Sequence, residues 1–191
     1  MLGSLSKKVV DRLLIDESTK KEDYEIYLFG MEQLLTVIID FLTAILIGVA
    51  FGEVIQTVIF VLSFMILRSY AGGFHASTPF KCYLLTSLTI IAVLSVMKYV
   101  EVDLVVLAGI FLVASMIIWV LAPVDTENKT IDDIEFIVYR RKTRIVWSVE
   151  VIGVFGCMAF RCVDMVECIV YAQVLLAVAL VWEKGGRRKK N

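Results

Sequence analysis

The sequence predicts an all-α integral membrane protein of about six transmembrane helices, with an N-terminal amphipathic helix and a cytoplasmic glycine-rich loop. Three observations carry that prediction. The 191 residues are 59% hydrophobic, with a mean hydropathy of +0.83, well above the roughly 45–50% apolar share of soluble domains. Apolar runs recur at 33–51, 54–67, 83–100, 104–124, 145–160 and 168–182, separated by charged or glycine-bearing stretches. Basic residues alternate with those runs so that, with six spans and the N-terminus inside, 17 of the 19 Lys and Arg residues fall on the inner side. Such a bias sets orientation in a membrane.

Taken in order, residues 1–32 are charged and lack the apolar centre of a cleavable signal peptide. Leu2, Leu5, Val9 and Leu13 share one helical face opposite Lys7, Lys8, Asp11 and Arg12, a pattern that suits a surface-lying helix or a short solvated one. The first span carries Asp40 near its middle. A carboxylate is expensive in lipid, so Asp40 should face the bundle interior or water. The second run holds only 14 residues between Glu53 and Arg68, whereas about 20 apolar residues cross a bilayer. It is still needed as a span, because without it the parity of the basic loops fails. The third span should begin at Pro79, the fourth ends near Val124, and the loop 125–144 carries Lys129, Arg140, Arg141, Lys142 and Arg144. Outer loops keep only Lys98 and Arg161. The chain reads as one membrane-embedded domain: a cytoplasmic or interfacial helix over 1–30, a helical bundle over 31–182, and a basic cytoplasmic tail over 183–191. The expected location is the cell membrane, multi-pass, with both termini and the glycine-rich loop cytoplasmic.

The four cysteines fall in different compartments on this map. Cys82 lies inside, where thiols stay reduced, while Cys162 and its neighbours Cys157 and Cys168 lie toward the outside, as a pair or, more simply, as buried thiols. With one histidine in the chain a His-rich zinc centre is excluded, and the cysteine spacing resembles no metal site. No phosphate loop or dinucleotide fingerprint is present. No metal, no cofactor and no nucleic-acid partner is expected; the lipid bilayer is, and a homodimer stays open.

Segment 68–82 reads Arg-Ser-Tyr-Ala-Gly-Gly-Phe-His-Ala-Ser-Thr-Pro-Phe-Lys-Cys and is built for more than apolarity. Gly72 and Gly73 permit backbone angles that other residues avoid. Ser77 or Thr78 before Pro79 is a helix start, with a capping hydroxyl and proline at the first helical position. Cys82 then sits in the first turn, where the helix dipole and Lys81 favour thiolate over thiol. Along a continuous helix His75 would stand about 10 Å from Cys82, too far for the roughly 3 Å contact a general base needs. His75 must therefore lie on non-helical chain that folds back over the helix end. The sequence so supplies a nucleophile, its base and a means of bringing them together, against the plainer reading of an interfacial histidine and a small apolar cysteine.

The pattern Arg68-x4-Gly73-x-His75-x6-Cys82-Tyr83 at the entry of a third span resembles the accessory gene regulator B (AgrB) family of Gram-positive quorum sensing. Leu121-Ala-Pro-Val-Asp125, followed by Asn128 and Lys129, resembles that family's loop after its fourth span, although Thr130 stands where the family has proline. The resemblance implies a membrane-embedded cysteine endopeptidase that processes a small AgrD-like propeptide into a cyclic autoinducing peptide. Cys82 would attack the peptide bond after the last ring residue, His75 would move the proton, and a cysteine or serine of the peptide would release the acyl-enzyme as a thiolactone or lactone.

Other residues carry lesser roles. Arg68 would stabilise the oxyanion or bind a substrate carboxylate, or serve only as a basic anchor, and Gly73 would provide the turn. Glu32 and Asp125 are candidates to orient His75. The Arg140, Arg141, Lys142 and Arg144 cluster would attract an acidic propeptide tail or merely fix topology. The rival reading is a non-catalytic membrane exporter or interaction module for a small peptide, with Asp40 and the basic loops contacting cargo. A lipid-modifying acyltransferase would share the His–Cys pair.

Overall fold

The computed structural model describes residues 2–13, 21–72, 79–124 and 132–188, which are helical apart from short turns. The helices are α1 (Leu2–Leu13), α2 (Lys21–Phe51), α3 (Val54–Ala71), α4 (Pro79–Tyr99), α5 (Leu104–Leu121), α6 (Asp133–Ala159) and α7 (Val163–Arg188). The described residues form no strand, only an isolated bridge between Gly72 and Val124. The chain divides into two units, Met1–Thr43 and Ala44–Asn191, with the division inside α2.

In the first unit α1 runs against the early part of α2. The Tyr24 hydroxyl donates to the Asp11 carboxylate at 2.6 Å, and Glu32 Oε1 lies 3.0 Å from where a β-carbon on Gly3 would stand. Lys7, Lys8, Asp11 and Arg12 are exposed, as the pattern requires. Among the α1 side chains described, Ser6 and Val10 are buried and Val9 is half-buried.

In the second unit the turn between α2 and α3 is closed by backbone bonds from Gly52 to Val49 and from Glu53 to Gly48. Gly52 takes φ +76°, the left-handed angle that commonly ends helices and that glycine adopts at least cost. Lys98, at the end of α4, donates to the Phe51 carbonyl at 2.8 Å, satisfying one carbonyl that the end of α2 leaves open. Helix α3 does not stop at Arg68. It continues to Ala71, giving 18 residues and about 27 Å of rise, so most of the expected shortfall disappears.

Helix α7 is the hub, in contact with α3, α4, α5 and α6. Half of its apolar window is buried, against a third or less for the other long apolar helices. Two clusters define the ends of the bundle. Leu67 and Ala71 of α3, Ile118 of α5, and Leu176 and Leu180 of α7 pack together, with Val146 and Trp147 of α6 against them. Leu107 of α5, Val154 of α6, and Val166 and Val170 of α7 form the other. The C-terminal ends of α3, α5 and α7 and the N-terminal half of α6 therefore share one end, which also holds Arg68, Arg144 and Lys184.

Among the described residues, five helices are long and apolar enough to cross a membrane: α2, α3, α4, α5 and α7. Helix α6 has the length, 27 residues, but the cluster Arg140, Arg141, Lys142 and Arg144 together with Glu150 lowers its apolarity. Its Glu150 nonetheless bonds Ser63 and Gln173, both near the middle of their helices. That part of α6 lies at the mid-depth of α3 and α7.

Candidate active site at the α3 and α4 ends

Helix α4 begins at Pro79, as the proline and the preceding hydroxyls predict, so Cys82 occupies its first turn. The Cys82 thiol is free and half-buried. Arg68, in the last turn of α3, lies within electrostatic range of Cys82, while its guanidinium lies 5.4 Å from the centre of the Phe64 ring. A cation held by an aromatic face beside a thiol in a helix first turn can stabilise negative charge on sulfur or on a nearby oxygen.

The backbone after Arg68 is fixed by a second segment. Gly72 donates to the Arg68 carbonyl at 3.0 Å, and Val124 donates to the Ala71 carbonyl at 3.0 Å. Gly72 takes φ 75° and ψ −154°, a region essentially closed to other residues, and a β-carbon there would run into the Val124 carbonyl. Beneath this stitch Leu67, Ala71, Ile118, Ala122 and Val124 are buried. Lys142 Nζ lies 5.3 Å from the Tyr70 ring centre, so α6 brings a further cation to the same end. The two motif windows of the sequence, 68–82 and 121–125, thus meet at one place.

Of the predicted site residues, Cys82 and Arg68 are brought together. Gly73, His75 and Asp125 lie outside the described residues. In sequence Gly73 follows Gly72 and Asp125 follows Val124, the two bridged positions. Glu32 belongs to the first unit, beside Gly3 of α1. Asp40 is half-buried, and its Oδ1 is buried with no hydrogen-bond partner among the described residues. All four cysteines are free thiols. Cys168 is fully buried, with its Sγ donating to the Asp164 carbonyl at 3.0 Å, Cys157 is half-buried, and Cys162 is exposed.

The sequence reading overlooked a polar network that crosses the bundle. Ser63 donates to Glu150 Oε1 at 2.5 Å and Gln173 donates to Oε2 at 3.0 Å. Ser115 donates to Gln173 Oε1 at 3.0 Å, and Trp147 Nε1 donates to Ser115 at 3.2 Å. It joins α3, α5, α6 and α7, five residues before Arg68 on α3. The available signal was a carboxylate inside the apolar run 145–160, of the same kind as Asp40.

The sequence pattern of the family described as Accessory gene regulator B matches residues 6–181. A protein named AgrB-like protein 2 from Clostridium perfringens (strain 13) is 29% identical over 138 residues, covering 69% of this chain and 64% of the relative. An AgrB-like protein of Listeria monocytogenes serotype 4a is 30% identical over 127 residues, covering 65% and 62%. One from Listeria innocua is 30% identical over 129 residues, with the same shares. These alignments span less than two thirds of the relatives' own length. No solved structure matches the chain.

Proposed function

The chain belongs to the accessory gene regulator B family of quorum sensing, and from that premise we propose that it is a membrane cysteine endopeptidase that cleaves an AgrD-like propeptide and closes the product into a ring. The observation that carries the reading is Cys82 in the first turn of α4 with Arg68 beside it. This is where a helix dipole and a fixed cation act together on a sulfur nucleophile. His75, seven residues earlier on the connection between α3 and α4, is the general base.

His75 takes the proton of the Cys82 thiol as the sulfur attacks the carbonyl carbon after the last ring residue. Arg68 faces the oxyanion. The C–N bond breaks, His75 returns the proton to the leaving amine, and the peptide remains as a thioester on Cys82. A cysteine or serine side chain of the peptide then attacks that thioester, which expels the Cys82 thiolate and leaves a thiolactone or lactone. With a thiol the second step exchanges one thioester for another and is nearly balanced in energy, so exclusion of water decides between ring and linear product. Asp125 and Glu32 are the candidates to orient His75. The substrate reaches the site from the cytoplasm, the reducing side.

Cys82→Ala and His75→Ala should each abolish propeptide cleavage at unchanged membrane levels, since base and nucleophile act as a unit. A propeptide whose ring-forming residue is changed to Ala should accumulate on Cys82 as a hydroxylamine-sensitive adduct seen by mass spectrometry. Normal cleavage by a well-expressed Cys82→Ala protein would end the protease reading.

A further inference from the structure

Helix α6 is two-faced at the level of its arginines. Trp147, Glu150 and Val154 point into the bundle, bonded or packed against α3, α5 and α7, and Thr143 is buried, donating to the Tyr139 carbonyl of its own helix. Away from that face Arg140, Arg141 and Arg144, with Ile145, Val149 and Ile152 on the following turns, line a wide, shallow groove made by α6 alone.

The arginines in the groove are oriented but not neutralised. Arg144 lies 4.3 Å from the Trp119 ring centre and Arg140 lies 5.9 Å from that of Phe136. The Arg144 Nε is buried with no hydrogen-bond partner, and none of the three is ion-paired to a carboxylate among the described residues.

We infer that this groove is a binding site for an anionic phospholipid, with its phosphate between the three guanidiniums and an acyl chain along Ile145, Val149 and Ile152. Charge complementarity selects the headgroup, because guanidinium forks match phosphate oxygens. The apolar stripe that continues from the arginines selects a lipid over a free anion. A second copy of the chain packed here about a twofold axis would set three arginines against three. An acidic peptide segment would use the charges but not the stripe, and the groove turns away from α3, which carries Arg68.

The test uses the full-length protein in detergent, with lipid retention read by native mass spectrometry. Phosphatidylglycerol and phosphatidylcholine of identical acyl chains are compared, with inorganic phosphate and a glutamate-rich peptide as competitors. The wild-type protein should retain phosphatidylglycerol over phosphatidylcholine. Arg140→Gln with Arg141→Gln should weaken that retention by about thirtyfold, at ~1 kcal/mol for each basic residue near an anionic surface. The corresponding double lysine variant should keep most of it, which separates loss of charge from loss of fold. Ser148→Trp, which fills the groove and leaves every charge in place, should also release the lipid. Equal retention of the two lipids, or no effect of Ser148→Trp, would overturn the proposal. Displacement by inorganic phosphate would make the groove a simple anion site, and displacement by the acidic peptide would make it a peptide site.

Discussion

Arg68 is the residue at which the structure adds most to the sequence. Read alone, it fits a substrate-facing cation and a basic anchor at the membrane edge equally well. Its place within electrostatic range of Cys82 makes the first role testable. Arg68→Ala should lower cleavage by about 10²-fold, the scale of losing one donor to a developing oxyanion. Arg68→Lys keeps the charge but loses the planar fork and ring contact, so it should fall between the two. Initial rates with Arg68→Lys equal to wild type would return Arg68 to the role of anchor. The other cysteines make the complementary case. Replacing Cys157, Cys162 and Cys168 together by Ala should leave the rate of cleavage largely unchanged. It should cost the packing of buried Cys168 and half-buried Cys157, roughly 1 kcal/mol each at most, read as a lower thermal midpoint.

Among the elements, the end of α3 is held from two directions, and each can be broken separately. Gly72 must accept a backbone angle closed to other residues while the Val124 carbonyl occupies the space of a β-carbon. Gly72→Ala should therefore cost about 1–3 kcal/mol from backbone strain, together with the displaced bridge. Cleavage should fall at least as far as the thermal midpoint predicts, because Arg68 moves with its helix end. Val124→Ala keeps both backbone bonds and should be milder in both assays. A Gly72→Ala protein as stable and active as wild type would show that the stitch does not set the site. Farther along α3, Ser63 depends on Glu150. Glu150→Ala leaves Ser63 and Gln173 without their acceptor inside the bundle, at about 1–3 kcal/mol. Glu150→Gln keeps an acceptor oxygen and should stay near the wild-type midpoint, as thermal unfolding in detergent can measure.

At the scale of the whole molecule, the mechanism needs Cys82 on the reducing side. The C-terminal ends of α3, α5 and α7 share one end with the N-terminal half of α6, so α6 runs opposite to the other three. Single cysteines at Ser77 and at Asp133, in a background with Cys82→Ala and no other cysteine, should resist an impermeant thiol reagent in intact cells and react after permeabilisation. A cysteine at Asp103, the cap of α5, should react without permeabilisation. Labelling at Ser77 with protection at Asp103 would invert the map. The sequence by itself determined the apolar runs, the start of α4 at Pro79, the first-turn place of Cys82 and the charge asymmetry, but it put residues 133–144 in a loop where they form the first turns of α6. In lipid each span must satisfy its own backbone groups, so composition and local capping suffice to reveal it. Only the tertiary structure decided that α7 is the hub, that α3 continues through Arg68 to Ala71, that Val124 closes over Gly72, and that Glu150 ties four helices together. Those features depend on which helix faces meet across long stretches of chain, and hydropathy cannot distinguish a face that meets lipid from one that meets another helix.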